Sequence, residues 1–245
     1  VRITPNRKMM NAFTKKYWRE GRAVLKASTQ SVINLIGLVP IEEVKARAER
    51  ILDTPEMRKY LSEMFVTTGA WFANDMLTKA VQRKADDYDF WRQAYIEYIS
   101  ARVAEKGRSI ARTQASLINS VIDLVQAEGL REGESIDVIS ERIKYELEKR
   151  LTVVQKWEAE RIARTEVIGA ANKGSFDGVQ ASGLDVKKQW LTSGLPGVRG
   201  SHQINESLGL VPMNYVYEGN TRYPGDPRGE PGEIINCRCT VVYEA

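Results

Sequence analysis

Along the first 170 residues apolar side chains recur every three or four positions, the spacing that gathers them on one face of an α-helix. Thr54-Pro55-Glu56 reads as a helix start: Thr caps the end, Pro sits where its missing N–H costs nothing, and the acid lies near the positive end of the helix dipole. From there Met57, Leu61, Met64 and Phe65 predict a helix to about Val81. Phe90, Tyr95 and Ile99 predict a second from Asp86 to about Val103. A third covers Arg108–Glu128 and stops at Gly129, a natural C-terminal stop. Ile136, Ile139, Ile143 and Leu147 form the apolar face of a fourth over Ser135–Arg150. Thr152 opens a fifth, which carries Trp157, Ile162 and Val167 and frays near Asn172-Lys173-Gly174. Ile110-Ala111-Arg112-Thr113 and Ile162-Ala163-Arg164-Thr165 match over four residues, too few to make a repeat.

After about residue 173 the helical period stops and Gly and Pro become frequent. Val186–Leu191 predicts a strand, His202–Leu208 a short helix closed by Gly209, and Leu210–Tyr217 a second strand. Asn220–Gly232 reads as a loop and Ile234–Tyr243 as the last strand. The expected fold is therefore α+β. A long, mostly helical N-terminal region, residues 1–150, precedes a small C-terminal α+β domain with a short β-sheet, residues 151–245. The boundary falls within 151–185, because the helix around Trp157 can pack on either part.

Composition narrows the class. A chain of 245 residues, 42% hydrophobic and 28% charged, has enough apolar mass for a core. No apolar run approaches the roughly 18–20 residues of a membrane span, and no secretory signal is visible, so no membrane partner is expected. Two cysteines do not make a disulfide scaffold and fit a reducing compartment. The chain begins at Val1, as expected of a piece of a longer protein. Net charge is +4, but residues 1–30 hold eight Lys and Arg against the single acid Glu20. Lys15, Lys16, Arg19 and Arg22 in that segment are expected to contact nucleic acid or an acidic partner. The competing reading is a solvated helix face.

The chemistry concentrates at the C-terminus. His202, Cys237 and Cys239 are the only histidine and cysteines of the chain. Two cysteines at i and i+2 of a strand share a face about 6.6–7 Å apart, long for an unstrained disulfide and better suited to a common metal. Zinc takes thiolate and imidazole ligands, usually four in a structural site. Asp226, Glu230, Glu233 or water is the candidate fourth. The competing reading makes the cysteines small buried apolar residues and His202 a hydrogen-bonded one. Arg164 and Glu166 point to different faces of their helix, so each needs a partner in the following domain. Tyr223-Pro224-Gly225-Asp226-Pro227 is a turn-dense loop. No phosphate-binding glycine loop, zinc-protease motif or nucleophile elbow is present. No catalytic residue, enzyme activity, or small-molecule substrate is expected.

Taken in order, the Arg164-Thr165-Glu166 helix with Asn172 beyond it, Trp190, Arg199 with His202, Gly209 and Asn236-Cys237-Arg238-Cys239-Thr240 resemble the C-terminal domain of the phage Mu F-like minor head proteins. The resemblance covers about residues 150–243. It implies a structural role for Arg164, Thr165, Glu166, Trp190, Arg199, Asn236 and Arg238. It also implies a low-copy minor capsid protein of a tailed bacteriophage virion, acting at or near the portal vertex in head morphogenesis, capsid assembly and DNA delivery. Its expected partners are the portal protein, the major capsid or scaffolding protein, and packaged DNA. Its expected location is the capsid interior, and the host cytoplasm during assembly. Many members carry a Cys-x-x-Cys pair after the Trp strand. Here Arg199 and His202 take its place, which removes potential zinc ligands. Two alternatives come from other classes: a nucleic-acid-binding module built on the basic N-terminal segment, and an effector or transferase enzyme of the kind that carries the same domain.

Overall fold

The computed structural model describes residues 2–81 and 89–245. Five helices, α1 (Arg7–Ile33), α2 (Ile41–Leu52), α3 (Pro55–Val81), α4 (Asp89–Glu132) and α5 (Ile136–Ala181), precede the main strands. Helix α3 begins where its sequence signal lies: the Thr54 hydroxyl accepts a hydrogen bond from the Met57 N–H at 3.1 Å. The start expected at Asp86 lies outside the described residues.

Two expected breaks are absent. The helices expected to end at Val103 and to start at Arg108 form the single helix α4, with Gly107 and Gly129 inside it. Gly129 does not stop the helix; a Cβ there would sit 2.5 Å from the Ile139 side chain, so the glycine makes room for a neighbour. The stop comes at Gly133, at φ +72, where the left-handed conformation is available without a Cβ penalty. Likewise Ser135–Arg150 and the helix opening at Thr152 are one helix, α5, which does not fray at Gly174. Gly174 and Gly178 let α5 lie against the backbone of α3, since a Cβ on either would come 2.3 Å from the carbonyl oxygen of Gly69 or Ala73.

Packing divides the chain into two compact units of discontinuous segments. One comprises residues 19–62 and 100–159. Its core joins Val32, Ile33 and Ile36, Val44 and Ala48 of α2, Ile118 and Ile122 of α4, and Ile139, Ile143 and Leu147 of α5. The other comprises residues 1–18, 63–99 and 160–245. A division at residue 150 falls inside α5, and the packing units follow a different partition.

The second unit holds a four-stranded antiparallel sheet built from β1 (Arg2–Ile3), β2 (Lys187–Leu191), β3 (Val211–Pro212) and β4 (Thr240–Glu244), in the order β1-β4-β2-β3. The main pairing sets Trp190 opposite Val241 and Leu191 opposite Thr240. Ile3, Val241 and Tyr243 pack with Met76 of α3, Phe176 and Val179 of α5, and Tyr223. The expected strand at Leu210–Tyr217 shrinks to two residues. The strand expected at Ile234–Tyr243 begins only at Thr240, because Pro231–Ile234 forms the short helix α7 and Asn236 takes φ +60. No described helix is long and apolar enough to cross a membrane.

Asp226 and Lys188 are fully buried in this unit. Asp226 accepts hydrogen bonds from the backbone N–H groups of Arg222 (2.9 Å) and Arg228 (3.2 Å) and from both guanidinium groups, closing the 222–228 loop on itself. Lys188 of β2 donates to the carbonyls of Tyr215 (2.7 Å) and Arg222 (2.8 Å), with its ammonium over the rings of Phe176 and Tyr217. Burial, and then the Arg222 charge, lower its pKa to about 7. The unfolded chain therefore binds more protons than the folded one between about pH 7 and the ordinary lysine value, and stability from this group rises with pH across that window. Urea titrations from pH 7 to 9.5 should show that rise, and Lys188→Met should flatten it.

Candidate metal centre

The C-terminal knot assembles from four places in the chain. The eight-residue helix α6 (Gly200–Ser207) carries His202, which is buried. Strand β2 supplies Trp190, whose ring lies 4.9 Å from the imidazole. Helix α7 supplies Glu233, and the irregular segment 235–239 supplies both cysteines. Residues 237–239 lie outside the paired strand, yet burial still alternates: Cys237 and Cys239 are buried and Arg238 between them is exposed. The Cys239 N–H points at the Cys237 sulfur, 3.4 Å away.

His202 Nδ1 lies 3.4 Å from the Cys239 sulfur and 3.8 Å from the Cys237 sulfur. Its other nitrogen, Nε2, lies 3.1 Å from a carboxylate oxygen of Glu233, which also accepts from the Ser201 hydroxyl at 2.8 Å. For metal binding, a proton on Nε2 satisfies Glu233 and turns the Nδ1 lone pair toward the two sulfurs; without metal, a proton on Nδ1 can bond the Cys239 sulfur. The three ligand atoms lie within 4.8 Å of one another and can hold a metal ion. The two thiols titrate as a pair. The Cys239 sulfur, and then burial, hold Cys237 well above the usual thiol range. The Cys237 thiol, and then His202, draw Cys239 down to about 5 despite burial. The Trp190 indole N–H adds a smaller contribution in the same direction, from a geometry short of a hydrogen bond.

Around this centre the motif residues lock α5 to the C-terminal segment. The Thr165 hydroxyl donates to the Arg161 carbonyl at 2.8 Å and accepts from the Asn236 N–H at 2.9 Å. Arg164 bonds the Asn236 side chain and Glu160 on its own helix. Asn172 is fully buried; it donates to the carbonyls of Pro224 (3.1 Å) and Cys239 (3.2 Å) and accepts from the Thr240 hydroxyl (2.9 Å). Arg199 donates to the Ile235 carbonyl at 2.6 Å.

The expected site residues thus fall into three groups. His202, Cys237 and Cys239 come together, with Trp190 against them. Arg164, Thr165, Arg199 and Asn236 brace the segment that carries the cysteines, and Arg238 lines the cleft beside them. Glu166 is buried on α5 and is not the carboxylate that holds His202; Glu233 is. Asp226, a candidate fourth ligand, is engaged with Arg222 and Arg228 instead. Glu233, another candidate, sits on the far nitrogen of the imidazole. Lys15, Lys16, Arg19 and Arg22 are exposed on α1 and take no part in this centre. Two residues carry more than the sequence signalled. Asn172 matters through contacts with backbone carbonyls, which leave no spacing pattern. Glu233 lies four residues before Cys237, a signal that only its helix makes meaningful. No protein-family model, curated protein or solved structure matches this chain.

Proposed function

We propose that this chain is a structural protein of a tailed-phage head, a minor head protein acting at or near the portal, whose C-terminal domain is held closed by zinc. The observation that carries this reading is the convergence of the resembling motif. Its residues, spread from Arg164 to Thr240, meet in one interlocked cluster in which most side-chain bonds run to backbone or between elements. Such bonds fix a shape and leave few groups to work on a substrate. Proteomic inventory of purified particles is the test. The chain should co-purify with portal protein at low copy; its absence from intact heads overturns the assignment.

The donor set fits zinc. A tetrahedral ion with sulfur at about 2.3 Å and imidazole nitrogen at about 2.0–2.1 Å sets those atoms about 3.6 Å apart. The two sulfur–nitrogen distances here are 3.4 and 3.8 Å. A thiol nucleophile with a histidine base needs one sulfur at that nitrogen; a shared ion needs both. Glu233 then plays the part of the outer carboxylate that orients a metal-binding histidine and raises its basicity. Glu233→Gln keeps the hydrogen-bonding reach and loses the charge, and should weaken zinc affinity about 10–100-fold. Competition with a chromophoric chelator measures it.

A second reading, nucleic-acid binding, rests on the four basic side chains exposed on α1. If α1 touches packaged DNA, reversing Lys15, Lys16 and Arg19 to Glu should weaken DNA retention at low salt and reduce the salt slope by roughly three. An unchanged slope removes DNA from the partners.

A further inference from the structure

We propose that the zinc centre keeps one coordination position for an oxyanion of the phosphate type, which enters from the cleft beside the cysteines. The proposal rests on the zinc reading above. The chain has one histidine and two cysteines, so its soft ligands stop at three. Among the described residues the candidate carboxylates do not join the cluster: Glu233 occupies the far side of the imidazole, Asp226 is enclosed by Arg222 and Arg228, and Glu230 is exposed and outside the group of His202, Cys237 and Cys239. A cleft of about 130 Å³ borders all three ligand residues. The 193–199 loop forms one wall and the 236–239 segment the other.

The lining decides what fits. Ser193, Arg199, Asn236 and Arg238 line the cleft, and no carboxylate among the described residues does. Two thiolates neutralise a divalent zinc, so the two guanidinium groups leave the site with a net positive surround. Water alone would leave that charge uncompensated. A tetrahedral oxyanion supplies one oxygen to the metal and further oxygens to guanidinium, amide and hydroxyl donors, the groups that bind phosphate in proteins. The source is a free phosphate or a phosphodiester of a nucleic acid.

Cobalt(II) in place of zinc reports the fourth ligand through its visible absorption, without any activity assay. Cobalt-loaded full-length chain is titrated in a non-coordinating buffer with inorganic phosphate, with a short oligothymidylate lacking terminal phosphates, and with sodium acetate. A saturable spectral change with phosphate alone supports a free phosphate. A change with the oligothymidylate supports a phosphodiester. Arg238→Gln, on an exposed side chain, should retain one cobalt per chain and weaken the oxyanion on the order of tenfold. A spectrum that ignores both phosphate probes while cobalt remains bound overturns the proposal and leaves the zinc reading standing. An equal response to acetate also overturns it. A chain that takes up no metal, with Cys239→Ser indistinguishable from it, overturns both.

Discussion

Cys239→Ser is expected to abolish the proposed zinc binding and loosen the C-terminal unit. Metal analysis of the purified chain should fall from one zinc per molecule to near zero, and Cys237→Ser should behave the same way. A domain that closes around its metal counts metal-binding free energy as folding free energy. If the centre contributes on the order of 4 kcal/mol, a chain of this size loses roughly 10 °C from its thermal midpoint. A strong chelator should lower the wild-type midpoint by the same amount and leave the mutants unmoved. A wild type that survives chelation unchanged would show that Trp190, Tyr217 and Val211, which pack with the cysteines, suffice alone. The pH dependence has a definite sign. Without metal, the neighbouring sulfur and burial hold Cys237 toward the thiol form, while Cys237 and His202 draw Cys239 toward the thiolate. Zinc binding therefore releases one proton, and affinity should fall about tenfold per pH unit below neutrality. Below about pH 5 Cys239 also takes up a proton, and the fall steepens.

The second large effect belongs to Gly174→Ala. On helix propensity alone this change gains about 1 kcal/mol. Here the new Cβ would lie 2.3 Å from the Gly69 carbonyl oxygen, a backbone atom that cannot rotate away. Helices α3 and α5 would have to move apart, and overpacking of this kind costs about 1–3 kcal/mol or more. A net loss of about 2 kcal/mol, or several degrees in thermal midpoint, is expected. Gly178→Ala should act alike against Ala73, and the double mutant should lose more than either. Gly200→Ala is the control: it lies in α6 with open space around its Cβ and should be neutral or slightly stabilising. If Gly174→Ala stabilises the chain, the close contact between α3 and α5 is wrong.

These glycines also mark where the sequence could be read and where it could not. Thr54-Pro55 was legible because a cap is a contact within four residues. Gly129 and Gly174 were misleading because the same residue that ends a helix also lets a helix approach another backbone, and only the neighbour decides. The alternation Ile235-Asn236-Cys237-Arg238-Cys239 imitates a strand, yet Pro231 starts a helical turn and Asn236 turns left-handed, so pairing begins only at Thr240. The candidate metal ligands were legible by inventory, since the chain has no other histidine or cysteine. Glu233 as the partner of His202 was not, because α6 and α7 are brought together by the fold. The buried Asn172 was visible only as a motif position; its three bonds run to Pro224, Cys239 and Thr240, more than fifty residues downstream.

One pairing bears on how the chain is made. Arg2 and Ile3 hydrogen-bond with Glu244 and Tyr243, nearly the whole sequence apart. A ribosome delivers the first residues of this sheet long before the last, so β1 has no partner until synthesis has passed Glu244. The same holds for α5, whose Thr165 and Asn172 await residues 236–240. All residues of the unit built from 19–62 and 100–159 have been synthesised by residue 159, so it is expected to form while the rest is still emerging. Folding is thus ordered in time by connectivity. The sheet and the cysteine segment close last, and a nascent chain stalled before residue 236 should protect residues 19–62 and 100–159 from protease while cleavage falls in 63–99 and beyond residue 159.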